Sequence, residues 1–297
     1  MLQEKYEYCK CGSGLKYKFC HMKLHLATGE KRLQASHELY LKQWEHTSSF
    51  FYEKGYYKWM AEQLSHINPE VILDIGCGSG YGIVELINQF GDQINLLSLE
   101  ENRECIKTAQ KNILRHCGVD CSVSERIIVK HHMSSHSYDH EPINFTELAN
   151  INLIESDLLT DPHLGDIKNY FGEFDLITIW LIGSHNLRDE CKQIHRNQYR
   201  LQVQNKVYDL ADIFLKKGGV LNIVDRGELP SNQHLIDDII NSHRDQAKGT
   251  GLDVKGVEFI EYEEPDIGIS LKIVPGSSGR VVENPTKSFS SIIVEKK

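Results

Sequence analysis

V-I-L-D-I-G-C-G-S-G-Y-G, residues 71–82, is a short apolar run that ends in an acid and breaks into alternating glycines. Val71, Ile72, Leu73 and Ile75 have the continuously apolar, β-branched character of a strand buried on both faces of a parallel sheet. Gly76, Gly78 and Gly80 carry no Cβ, so the backbone there turns sharply and approaches a ligand closely. From Tyr81 to Phe90 apolar residues resume at helical spacing, at Ile83, Val84, Leu86, Ile87 and Phe90. Strand, glycine loop and helix N-terminus together form a nucleotide-binding corner. The dinucleotide pattern G-x-G-x-x-G would put its third glycine at Tyr81 or Ile83, so the spacing opposes a nicotinamide dinucleotide.

With its acid before a G-x-G-x-G loop, the segment resembles motif I of the class I S-adenosylmethionine-dependent methyltransferases. The resemblance implies that the loop Asp74, Gly76, Cys77, Gly78 and Gly80 meets the methionine and ribose parts of S-adenosylmethionine, with Asp74 ordering the loop. Other parts of the chain agree with it. The run Ile94 to Leu99 ends in Glu100, 20 residues past Gly80, where a doubly wound fold places a carboxylate for ribose hydroxyls. Ile151 to Ile154 leads to Glu155-Ser156-Asp157, and Asp157 resembles the family's acid beside the adenine. Phe174 to Ile182 fits the strand before the substrate-facing loop, and L-K-K-G-G-V-L-N-I-V, ending at Val224, resembles the family's K-x-G-G strand entry.

The fold class implied is α/β, a Rossmann-like class I methyltransferase sheet of seven strands with the last one antiparallel and helices on both faces. Extended segments at Gly268 to Val274 and Ser288 to Glu295, joined by a turn-rich stretch, fit the antiparallel hairpin that closes such a sheet. A helix from Leu187 to Lys217 and another from beyond Pro230 to about Gln246 fill the spaces between strands. The helix Asn102 to Cys117 ends at Gly118, a suitable C-cap.

The 297 residues allow one large domain with a small appendage, or two small domains, and 40% hydrophobic with 25% charged residues is ordinary for a globular chain. No apolar run approaches the roughly 20 residues that span a bilayer, and there is no signal-peptide core. A cytoplasmic protein without a membrane partner is therefore expected. The net charge of -9 opposes a broad nucleic-acid groove, but it is unevenly spread. Met1 to Arg32 carries seven basic residues against three acidic ones, leaving 26 basic against 39 acidic on the remainder.

That basic head contains C-K-C-G-S-G-L-K-Y-K-F-C-H, residues 9–21. Cys9, Cys11, Cys20 and His21 make a Cys₃His set, the usual composition of a structural zinc site. A disulfide framework does not suit a cytosolic chain. The string resembles the SEC-C zinc motif, with Gly12-Ser13-Gly14 turning the chain and His21 standing where many members have a fourth Cys. So short a segment cannot build a sufficient apolar core, so structural zinc would supply its folding energy. The resemblance implies a recruitment module for a protein partner, with no part in catalysis; its basic surface would also suit RNA. The expected organisation is a zinc motif over 1–28, a helical cap or linker over 29–68 and the methyltransferase domain over 69–297.

His25 to Ser65 reads as helical, and eight of the chain's aromatics crowd between Tyr40 and Trp59. Such rings mostly fill cores, but N-terminal helices in this family cover the cofactor, and Tyr56 and Tyr57 are the candidates for a lid. An insert before Ile151 contains a short strand at Arg126 to Lys130 and then His131, His132, His136 and His140, either a second metal site or an exposed loop.

The loop after the fourth strand reads W-L-I-G-S-H-N-L. It lacks the D/N-P-P-Y/F tetrad, and no Pro-Cys dipeptide exists in the chain, so DNA methylation is disfavoured. His185 is the catalytic candidate, a neutral imidazole taking a proton from the methyl acceptor. Equally, Ser184 or Asn186 caps a helix and His185 is a bystander. Asp225, beyond the fifth strand, either holds a polar substrate group or is a plain loop acid. The function implied is methyl transfer from S-adenosylmethionine to an O or N acceptor, a small molecule or protein. The alternative is a non-catalytic, cofactor-binding adaptor acting through its zinc motif.

Overall fold

The computed structural model describes residues 4–9, 15–131, 136–183, 196–265 and 286–297. The apolar run at 71–75 forms β1 (Val71–Ile75), central in an eight-stranded sheet. Around it stand β2 (Asn95–Glu100), β3 (Ser122–Ser124), β6 (Ile151–Glu155), β7 (Phe174–Trp180), β8 (Leu215–Glu228), β9 (Leu252–Glu261) and β10 (Lys287–Lys296). Their order is β3-β6-β2-β1-β7-β8-β10-β9. The pairs from β3 to β8 are parallel, and β10 runs antiparallel between β8 and β9. The order reverses at β1, so a crevice opens at the carboxyl ends of β1 and β7. This is a Rossmann-like α/β fold with a mainly parallel sheet.

The expected count of seven strands is corrected to eight, because Ser122–Ser124 adds an edge strand on β6. β10 pairs with β8 and with Leu252–Glu261, and the expected segment Gly268 to Val274 lies outside the described residues. Asp253, Lys255, Glu258 and Glu261 interrupt β9's apolar pattern, and such charges suit a strand at the sheet's edge. The expected strand Phe174 to Ile182 stops at Trp180, where Leu181 takes φ +58°, a left-handed conformation few non-glycine residues adopt.

Helices cover both faces. α4 (Tyr81–Phe90) follows the glycine loop and buries Ile83, Val84, Leu86 and Ile87, each burial contributing about 1.5–3 kcal/mol. It packs with α5 (Arg103–Cys117), α2 (Gly29–Glu53) and α3 (Tyr56–Glu62) in one core layer. α6 (Leu164–Phe171) and α7 (Arg196–Phe214) build the opposite layer, and α8 (Gln233–Gln246) packs on β9. α5 ends at Gly118 in the left-handed conformation, as its sequence expects. The helical stretch from His25 to Ser65 is divided into α1 (Met22–Leu26), α2 and α3, the last break falling at Gly55, φ +77°.

The insert forms a separate two-stranded ladder, β4 (Ile127–His131) with β5 (His136–His140). Among the described residues no helix is long and apolar enough to cross a membrane.

Candidate functional site

Parallel register puts Asp74 of β1 directly between Ser98 of β2 and Thr178 of β7. Ser98 Oγ donates to Asp74 Oδ2 at 2.8 Å and Thr178 Oγ1 to Oδ1 at 2.8 Å. Burial pushes the Asp74 carboxyl up to about 6, against the two hydroxyls, which favour the carboxylate. Asp74 therefore ties three strands together where the glycine loop begins.

Gly76, Gly78 and Gly80 have φ of +82°, +52° and +84°. A Cβ on Gly76 would lie 2.5 Å from Ile182 Cδ1, one on Gly78 2.5 Å from Trp44 Nε1, and one on Gly80 2.7 Å from Ala109 Cα. The loop thus needs glycine both for conformation and for close approach. Cys77 is buried and its thiol, raised well above its ordinary value by burial, donates weakly to Gly78 O at 3.8 Å. Gly80 N closes the turn on Cys77 O at 2.8 Å.

Glu100 ends β2 on the same side. Its Oε2 accepts from Gly78 N at 3.0 Å and its Oε1 from Asn102 N at 2.9 Å. Asn102 in turn caps α5, accepting from Glu104 N at 3.0 Å, and donates to His37 O of α2 at 3.3 Å. Asp74, Gly76, Cys77, Gly78 and Glu100 thereby line one cavity.

The cavity's other walls come from Ser156 and Leu158, from Trp180, Leu181, Ile182 and Gly183 after β7, and from Tyr199 and Val203 of α7. Asp157 is fully buried between Ser156 and Leu158; its Oδ1 accepts from Leu159 N at 3.1 Å. Burial raises its carboxyl to about 6, and its own N–H donates to His140 Nε2 at 3.1 Å. His140 is thus committed to the loop after β6, and among the described residues it joins no metal-binding group. His185 and its neighbours Ser184 and Asn186 lie outside the described residues.

Across from the glycine loop stand Tyr40, Trp44 and Tyr57. Trp44 faces Gly78, the Tyr40 hydroxyl abuts Gly183, and Tyr57 exchanges a 2.8 Å hydrogen bond with Ser48. The aromatic crowding marked this region, but it did not separate Tyr40 and Trp44 from the other rings. Tyr56 turns away from the cavity, its hydroxyl accepting from Glu263 N at 3.0 Å. Asp225 turns towards α7, accepting from Gln204 and pairing with Arg200 at 3.4 Å.

In the head, Cys9 Sγ and Cys20 Sγ lie 3.3 and 3.2 Å from His21 Nδ1, with all three donor atoms within 4.8 Å of one another. Two thiols and an imidazole nitrogen converging so closely suit one small soft ion. A short hairpin holds them: Cys9 N donates to Leu15 O at 2.7 Å and Tyr17 N to Glu7 O at 2.8 Å. Cys11 lies outside the described residues.

Residues 47–136, less than half of the chain, match the family model described as Protein-L-isoaspartate(D-aspartate) O-methyltransferase. The matched segment carries the glycine loop and Glu100. No curated protein sequence matches the chain. Similar solved structures include TrmN from Thermus thermophilus, with 11% identity and a TM-score of 0.45, covering 81% of this chain and 48% of that one. An O-methyltransferase from Bacillus cereus, in complex with SAH, has 14% identity and a TM-score of 0.43, covering 81% and 80%. TomG, an O-methyltransferase from Streptomyces achromogenes, has 10% identity and a TM-score of 0.41, covering 81% and 79%. The chain thus spans about half the length of TrmN.

Proposed function

We propose that the chain is an S-adenosylmethionine-dependent methyltransferase that binds its cofactor in the cavity between the glycine loop and the aromatic cap, and methylates an O or N acceptor. The observation that carries this reading is Glu100, held by Gly78 N and Asn102 N beside a loop of three positive-φ glycines. A carboxylate at the end of β2, beside such a loop, is placed where a doubly wound fold binds ribose hydroxyls. Asp74 fixes the loop from below, and Ser156 and Leu158, on either side of the buried Asp157, form the adenine side. The match to a carboxyl methyltransferase family over 47–136 favours an oxygen acceptor.

Bound there, S-adenosylmethionine supplies an already activated methyl group. The protein's part is then to position the acceptor in line and to exclude water, which accounts for most of the rate such a site needs. Tyr40, Trp44 and Tyr57 perform the exclusion, and a cationic sulfonium suits their faces. His185, in the loop leading from Gly183, takes the acceptor's proton where the acceptor carries one.

The head is a structural zinc site of the SEC-C type in this reading, with Cys11 completing the set Cys9, Cys20 and His21. Its work is recruitment of a protein partner to a cytoplasmic enzyme whose acceptor is a small molecule or a protein and not DNA.

Calorimetric titration of the zinc-loaded protein with S-adenosylmethionine, using NADH as control, tests the reading. Binding of the former alone is expected. Asp74→Ala should abolish it and Glu100→Ala weaken it by about 1.5–3 kcal/mol, the scale of hydrogen bonds to a charged group. Unchanged affinity in both variants would sink the site assignment. Binding without turnover on any cell fraction would favour a cofactor-holding adaptor.

A further inference from the structure

Alternation along β8 sends its last charged side chains to opposite faces: Asp225 goes to α7, and Arg226 goes to the aromatic cap. Arg226 stands two residues past Val224, the last β8 residue in parallel register with β7, and so at the crevice edge. Its guanidinium carbon lies 5.3 Å from the Trp44 ring centroid and 5.4 Å from that of Phe51. Trp44 is the ring that covers Gly78 and lines the cavity; Tyr40 and Tyr57, also cavity walls, lie within electrostatic reach of the same guanidinium.

The charge in this pocket is poorly met. Nη1 is sealed from solvent and, among the described residues, has no hydrogen-bond partner. The Tyr262 hydroxyl lies within electrostatic reach of the guanidinium but donates to Glu264 Oε1 at 3.3 Å, and Glu264 is paired with Lys287 at 2.6 Å. Among the described residues no carboxylate comes within ion-pair distance of Arg226. Stacking on two rings offsets part of the desolvation, yet it leaves an in-plane N–H edge unused. Arg226 as a whole is half-buried, and a charged group with one sealed, unused donor is costly as a mere structural clamp.

We propose that Arg226 is a carboxylate-binding site beside the cofactor cavity, engaging a carboxylate of the ligand that enters beneath Tyr40, Trp44 and Tyr57. A planar guanidinium edge matches a carboxylate, and Glu264 nearby disfavours a dianion such as phosphate. The carboxylate comes from the methyl acceptor or from the amino-acid end of the methyl donor; the chemistry recognised is the same. The proposal rests on the methyltransferase reading for the identity of the cavity's ligand, but not for the binding of a carboxylate.

The test uses full-length, zinc-loaded protein and the indole N–H resonance of Trp44, assigned with a Trp44→Phe variant. Titration with succinate should shift this resonance saturably, and titration with succinamide should not. Arg226→Gln should weaken the succinate effect by roughly tenfold or more, and Arg226→Lys, which keeps the charge without the planar fork, by less. A second pair of titrations separates the sources. If Arg226→Gln weakens S-adenosylmethionine binding but leaves 5′-methylthioadenosine, which lacks the amino-acid end, unaffected, the carboxylate is the donor's. If both bind as in the wild type while succinate binding is lost, it is the acceptor's. No saturable succinate shift in the wild-type protein, or the same shift in Arg226→Gln, would overturn the proposal and leave Arg226 a clamp between cap and sheet. That readout needs no variant to fold. Failure of the wild type to bind methylthioadenosine would instead count against the methyltransferase reading.

Discussion

Gly80 and Gly118 share a backbone conformation and differ in what surrounds them, so replacing each with alanine separates two costs. Both have positive φ, +84° and +69°, and an alanine in either place pays about 1–2 kcal/mol for the left-handed region. At Gly118 a Cβ meets nothing within 4 Å, and that is the whole effect. At Gly80 the Cβ would lie 2.7 Å from Ala109 Cα, 2.9 Å from its Cβ and 3.1 Å from its O, all on α5 and mostly backbone. No side-chain rotation relieves such a contact, so α4 and α5 must separate, which adds an overpacking cost of about 1–3 kcal/mol. The expected losses are therefore about 1–2 kcal/mol for Gly118→Ala and about 2–5 kcal/mol for Gly80→Ala. Urea unfolding followed by circular dichroism measures both. Separation of the helices also moves Gly78 N relative to Glu100, so Gly80→Ala should weaken S-adenosylmethionine binding and Gly118→Ala should not. A double variant with Ala109→Gly sharpens the test: it removes the 2.9 Å contact but not the one at 2.7 Å, so it should recover only part of the loss. Equal destabilisation by the two single substitutions would refute the reasoning, because the close approach of α5 to the loop would then carry no energy.

Asp74→Asn keeps a hydrogen-bonding shape between Ser98 and Thr178 and removes a buried charge. Because burial raises the folded pKa from 3.8 to about 6, the native state holds its proton longer than the unfolded chain. That contribution is fully present below about pH 4 and lost as pH rises through 6, so the variant should gain on the order of 2 kcal/mol relative to wild type between those limits in pH-dependent urea unfolding; parallel curves would refute it. His140 has the opposite sign. Burial lowers its pKa and Asp157 N needs its neutral Nε2, so its stabilisation is present above about pH 6.5 and fades as pH falls; His140→Gln should flatten that acid limb, and an unchanged limb would show that His140 is not its source. Chelation should remove one zinc per chain and lower S-adenosylmethionine affinity several-fold, read by metal analysis and calorimetry on the same sample; full affinity in metal-free protein would show that the head and cavity are independent.

What was legible in the sequence was whatever a single strand or loop decides alone. β1, β2, β6 and β7 are continuous apolar runs because both faces of a parallel sheet are covered, and the three glycines follow from local conformation. Relations across strands were not legible. Nothing in V-I-L-D-I says that Asp74 falls level with Ser98 and Thr178; that depends on the register of three strands separated by up to 104 residues. β9 escaped notice because edge charges break the apolar pattern, and β3 because three residues of S-V-S carry almost no signal. The aromatic helix was visible as a density of rings, but periodicity only says which rings share a face. Whether that face meets Gly78, as Trp44 does, or Glu263, as Tyr56 does, is set by where α2 and α3 lie on the sheet.

The sequence divides by composition into a head over 1–28, a helical stretch over 29–68 and the remainder, but packing runs across the first of these boundaries. Cys9, Tyr17, Cys20 and Leu24 share one apolar cluster with Ala35 and Leu39 of α2, and Gln43 Nε2 reaches Cys20 Sγ at 4.0 Å. The next residue, Trp44, lies on Gly78, and Tyr40, one residue after Leu39, lies on Gly183. One turn of one helix therefore touches a candidate metal ligand on one side and the cofactor loop on the other. Further along, Ser48 holds Tyr57, and Phe51 packs edge-on against Phe289 of β10 at 5.1 Å, so α2 is fixed to the sheet at its far end and to the head at its near end. A helix held at both ends keeps its middle turns in register, and those turns form the wall facing the glycine loop. The head therefore packs on the helix that forms this wall, and a chain lacking residues 1–28 would lose the apolar partners of Ala35 and Leu39. An isolated recruitment tag would leave the cavity unchanged when removed; cofactor affinity after zinc removal distinguishes the two.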